Sequence, residues 1–174
     1  MFKRTLALVA AASIALAVPA SADADLVYLG DPISTGSHGE GGELEFRFTE
    51  IDEPVLPDTT FGVAGGRRDA SGAYAVHMTS NEFDGSDKAP GFHAASVATE
   101  SGEIPAFGYY SGPVAKVTAR IGGEVAVAHQ ARWSEDPTIT LWWFDYTTTE
   151  PSDLSAFDAA GNPLPAGHNS FGRG

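Results

Sequence analysis

Glu43-Leu44-Glu45-Phe46-Arg47-Phe48-Thr49 is the stretch from which the fold class is read. Leu44, Phe46 and Phe48 recur at every second position, with charged or polar residues between them. An extended segment with this pattern turns one face to an apolar core and the other to water. Residues 73–80 repeat it, with Tyr74, Val76 and Met78 on one face and Ala75, His77 and Thr79 on the other. Residues 114–121 place Ala115, Val117, Ala119 and Ile121 inward and Lys116, Thr118 and Arg120 outward. No stretch after residue 22 carries a helical period of comparable clarity.

The connections agree with the strands. Gly122-Gly123 lies between Ile121 and Glu124, and two glycines accept the positive φ of a tight two-residue hairpin. Ala70-Ser71-Gly72 and Glu100-Ser101-Gly102 separate further runs. Additional strands are expected at residues 26–29, 61–68, 93–99, 104–110, 125–133, 138–146 and 154–157. This spacing predicts an all-β domain, a single antiparallel β-sandwich of immunoglobulin-like or jelly-roll-like kind, with a β-barrel as the alternative. Residues 30–42, with five glycines, and residues 81–91 read as long loops. The domain is expected to span residues 23–166, with a flexible tail over 167–174.

Residues 138–144 have two apolar faces, because Trp142 and Phe144 point one way while Leu141 and Trp143 point the other. That predicts a central strand covered on both sides, or one that displays an aromatic ring to a ligand. Trp142, aligned with Thr140, Phe144 and Tyr146, is expected on the more accessible face. Trp143, aligned with Ile139 and Leu141, is expected in the main core.

Residues 1–22 have the layout of a secretory leader: Lys3 and Arg4, an apolar run from Leu6 to Val18, then Ala20-Ser21-Ala22 before Asp23. The apolar run is too short to span a bilayer, which needs about 20 helical residues. The expectation is a secreted, extracellular protein with no membrane association after cleavage. The chain of 174 residues carries 10 basic and 23 acidic side chains, a formal charge of −13. That charge repels phosphate and argues against a nucleic-acid partner. The absence of cysteine removes disulfides, thiolate metal sites and thiol catalysis.

Three segments of the C-terminal half carry a resemblance: Phe107-Gly108-Tyr109-Tyr110-Ser111-Gly112-Pro113-Val114, then Trp142-Trp143-Phe144, then Ala156-Phe157-Asp158-Ala159-Ala160-Gly161-Asn162-Pro163-Leu164. Together they resemble small exported β-sandwich proteins common in high-GC Gram-positive bacteria. The Asp158 to Asn162 turn is similar to one that ends strands in bacterial immunoglobulin-like modules. The resemblance implies a sandwich fold and export, and it brings no catalytic residues.

Catalytic patterns are scarce. The histidines His38, His77, His93, His129 and His168 form no H-x-H, H-x-x-x-H or H-E-x-x-H spacing. His77 and His129 could meet His93 across a sheet to hold zinc or copper, against the ordinary reading of separate surface imidazoles. Gly108 to Gly112 is not a nucleophile elbow. Asp84-Gly85-Ser86-Asp87 offers hard oxygens; a solvated acidic turn is the ordinary reading, and a calcium site on Asp84 and Asp87 the alternative. The sequence therefore points to a non-enzymatic binding protein with no cofactor. Its partner would be an extracellular polysaccharide or a protein, held on the aromatics Trp142, Tyr109, Tyr110 and Trp133. The alternatives are an extracellular hydrolase with a carboxylate or His/Asp site, and a structural protein with no ligand site.

Overall fold

Antiparallel pairing of eleven strands organises the chain, and no helix forms among the described residues. The computed structural model describes residues 26–83, 85–102 and 104–172. The leader expected at residues 1–22 lies outside the described residues. In chain order the strands are β1 (Tyr28–Gly39), β2 (Gly42–Glu50), β3 (Phe61–Arg68), β4 (Tyr74–Asn81), β5 (Gly91–Ser96) and β6 (Phe107–Ser111). They continue with β7 (Lys116–Ile121), β8 (Glu124–Val127), β9 (His129–Arg132), β10 (Ile139–Trp143) and β11 (Ser152–Phe157). Three sheets result, ordered β1-β2-β3-β4, β5-β6-β10-β9 and β11-β7-β8, and none closes into a barrel.

The sheet β5-β6-β10-β9 is the middle layer, and alternation along its strands feeds two cores. Phe107 and Tyr109 of β6, with Ile139, Leu141 and Trp143 of β10, pack against Leu44, Phe46, Phe48, Phe61 and Val63 of the first sheet. Tyr110 and Trp142 point the other way. They meet Val117 and Ala119 of β7 and Leu154 and Ala156 of β11. A strand covered on both faces must be apolar at successive positions, which is the pattern of residues 138–144. The sandwich is thus as expected, with a third, small sheet on its second face.

Covering both faces overturns the expected difference between the two tryptophans. Trp142 is fully buried and Trp143 is 9% exposed. The face of Trp142 is not accessible, because Phe92, Phe144 and Phe171 surround its indole edge-on at 5.8–6.1 Å.

Three local expectations are corrected. Most of residues 30–42, read as a loop, belongs to β1, which pairs with β2 through two register shifts; Gly30 and Gly36 there adopt positive φ. Backbone pairing outweighs the weak strand preference of glycine when bulges absorb the misfit. The predicted strand over 125–133 is interrupted at Ala128, and its halves join different sheets. Residues 167–172 of the tail expected to be flexible run beside β5. His168 N–H donates to Phe92 O and Gly172 N–H to Ala95 O at 2.8 and 2.7 Å. This segment satisfies the edge of β5, while Leu164 and Phe171 pack on the second core.

Candidate functional site

The aromatics expected to bind a ligand are committed to the cores. Trp142 and Tyr109 are fully buried, Tyr110 is 1% and Trp133 5% exposed. Tyr110 donates its hydroxyl to Pro165 O at 3.0 Å, and Trp133 donates Nε1–H to Leu29 O at 3.3 Å while stacking on Phe48 at 4.4 Å. None of the four presents a ring to solvent. Sequence cannot separate packing from display here, because an aromatic strand reads the same in both roles.

The acidic loop is also spoken for. Asp84 lies outside the described residues. Asp87 is buried, and its Oδ2 accepts hydrogen bonds from Thr60 N at 2.6 Å, Thr60 Oγ1 at 2.8 Å and Phe61 N at 3.3 Å. It anchors the β4–β5 connection to the start of β3. These three donors commit Asp87 Oδ2 to holding the loop in place.

Two concavities lie along the seam between the edges β4 and β5, where Ser96 Oγ donates to Ser80 Oγ and Ser80 Oγ to Ala94 O. At one end is an open cleft of about 620 Å³. Its lining includes Tyr146, Thr147, Thr148, Thr149 and Glu150, with His77 and Glu100. Tyr146 is 42% exposed, and its hydroxyl lies 3.4 Å from Thr99 O, which pins the ring beside Gly102.

At the other end is a cluster that no spacing in the sequence announces. Glu82 follows β4, His93 lies mid-β5, and His168 comes from the C-terminal segment. Glu82 Oε2 sits 2.7 Å from His93 Nδ1 and 2.8 Å from His168 Nδ1. Glu82 and His93 are buried, while the His168 side chain is 52% exposed. Glu82 Oε1 accepts Phe83 N–H at 2.9 Å, and His93 Nε2 faces Ala89 O at 2.6 Å. The His93 ring stacks on Tyr109 at 5.1 Å, so packing fixes its plane. Glycines bring the third member in: a Cβ on Gly91 would lie 2.5 Å from Gly167 Cα, and both glycines have positive φ.

Burial, together with the negative charges of Asp87 and Glu82, raises the Tyr109 phenol well above its ordinary range, so it stays neutral. The Tyr109 hydroxyl has no hydrogen-bond partner. Among the described residues, Glu82, His93 and His168 are the group whose donor atoms gather closely enough to share an ion. The convergence of His77, His93 and His129 does not form. His77 lines the cleft, and His129 stacks on Trp143 at 5.5 Å with Nε2 3.0 Å from Asp145. No known protein family, no curated protein and no solved structure matches this chain.

Proposed function

We propose that the protein is an exported, non-enzymatic binding protein that takes an extracellular glycan chain into the Tyr146 cleft. The observation that carries this reading is the exposed Tyr146 ring set beside three consecutive threonines and the carboxylates of Glu100 and Glu150. A sugar has an apolar C–H face and a rim of hydroxyls. An aromatic ring packs against the first, while hydroxyls and carboxylates bond the second. The net charge of −13 favours a neutral glycan over an acidic one. His77, His93 and His129 do not converge, so the particular histidine constellation expected of the hydrolase alternative does not form.

The test is retention of labelled protein on a panel of neutral polysaccharides. Tyr146→Ala should weaken retention about tenfold, the loss of one aromatic contact worth about 1.4 kcal/mol. Tyr146 stands outside both cores, so the variant should keep the wild-type melting profile. Equal retention by both proteins, or retention by neither, refutes the reading.

A further inference from the structure

We propose that Glu82, His93 and His168 form a binding site for a divalent first-row transition ion of the zinc class. Glu82 Oε2, His93 Nδ1 and His168 Nδ1 all lie within 4.8 Å of one another. A tetrahedral ion with bonds of about 2.0–2.2 Å sets its ligand atoms about 3.3 Å apart. The present oxygen–nitrogen separations of 2.7 and 2.8 Å need to open only slightly to admit one. His168, half-exposed on the C-terminal segment, is the member free to make that adjustment.

The partners of the second donor atoms make the case. Phe83 N–H occupies Glu82 Oε1 and leaves Oε2 turned to the two imidazoles. His93 Nε2 sits 2.6 Å from the Ala89 carbonyl, which can only accept, so Nε2 carries a proton. In the neutral ring Nδ1 is then a bare lone pair aimed at a carboxylate oxygen. Nδ1 and Glu82 Oε2, 2.7 Å apart, therefore both face the point that a shared ion would occupy. An imidazole that donates one nitrogen to a backbone carbonyl and turns the other to a shared centre has the usual outer partner of a metal ligand.

One divalent ion offsets the buried carboxylate and accepts a lone pair from each imidazole. Two imidazole nitrogens and one carboxylate oxygen, with no cysteine in the chain, suit zinc, cobalt, nickel or copper(II). Calcium, which takes six to eight oxygens, is a poor match. A small pocket of about 180 Å³, with Ser86, Ala89 and Pro90 in its wall, opens beside the two histidines. Three protein ligands leave room there for water or a small ligand to complete the shell.

The full chain, stripped with chelator, is titrated with Zn(II) by calorimetry and with Co(II) followed by visible absorption. One equivalent should bind, and Co(II) should give the intense bands of a four-coordinate ion. His168→Ala should weaken Zn(II) binding by at least about 100-fold, beyond the roughly 10–100-fold typical of losing an outer partner. His129→Ala should leave binding unchanged. His168→Cys should keep the ion and add a thiolate-to-cobalt charge-transfer band, which only direct ligation produces. Absence of one-to-one binding, wild-type affinity in His168→Ala, or no new band in His168→Cys overturns the proposal.

Discussion

Trp142 and Trp133 are a matched pair for measuring what one buried N–H costs this protein. Both indoles are buried in aromatic surroundings, one in each core. Trp133 Nε1 donates to Leu29 O at 3.3 Å, whereas Trp142 Nε1 has no partner. Changing either to Phe removes the same atoms, so the lost burial is common to both and the difference isolates the N–H. At Trp133 the change forfeits a hydrogen bond contributing about 0.5–1.5 kcal/mol. At Trp142 it relieves an unsatisfied donor that costs about 1–3 kcal/mol. Trp133→Phe should therefore be more destabilising than Trp142→Phe by about 2 kcal/mol, roughly thirtyfold in the folding equilibrium. Trp142→Ala is the control, and removing the whole ring should cost about 3–5 kcal/mol. Urea titrations followed by far-ultraviolet circular dichroism give the values, provided the denaturant slopes agree. If Trp142→Phe is as damaging as Trp133→Phe, the unpaired N–H is not a liability and the reasoning fails.

Asp87→Ala should cost about 3 kcal/mol by stripping the shared acceptor from Thr60 and Phe61 N–H, and added calcium should leave the wild-type urea midpoint unchanged. A calcium-dependent midpoint would restore the cation reading of that loop. Acid should also weaken the fold. Hydrogen bonds from Asn162, Thr138 and Ser71 hold Asp158, Asp136 and Asp69 below the ordinary carboxylate range. The folded state then binds these protons less readily than the unfolded state, so their stabilisation is complete above pH of about 4 and fades as pH falls further. Urea midpoints measured at falling pH should decline there, and Asp158→Asn should flatten the decline; a flat wild-type profile refutes the assignment.

Much of what is local could be read directly. The alternation of Leu44, Phe46 and Phe48 puts all three in the first core, because side-chain direction in a strand depends only on parity. Gly122 and Gly123 adopt positive φ between β7 and β8, as a two-residue hairpin demands. In the turn after β11, Asp158 Oδ1 accepts Ala160 N–H and Asn162 N–H, a bond pattern contained within five residues. The double apolar face of residues 138–144 offered two readings, a strand covered on both sides or one displaying an aromatic, and the first holds.

Which face meets which layer was decided elsewhere. Whether Trp142 was displayed or buried depended on a third sheet drawn from β7, β8 and β11, whose docking leaves no mark on β10 itself. Asp87 read as part of a solvated acidic turn, with a calcium site as the alternative; it is buried because Thr60 and Phe61, 27 and 26 residues away, turn their donors to it. Glu82 and His93 lie 11 residues apart and Glu82 and His168 lie 86 apart, so no spacing rule could join them. They meet because β4 and β5 are edges of facing sheets and the C-terminal segment returns along β5. Periodicity reports how each residue turns relative to its neighbours in the chain; a site assembled from three distant segments exists only once the sheets have packed.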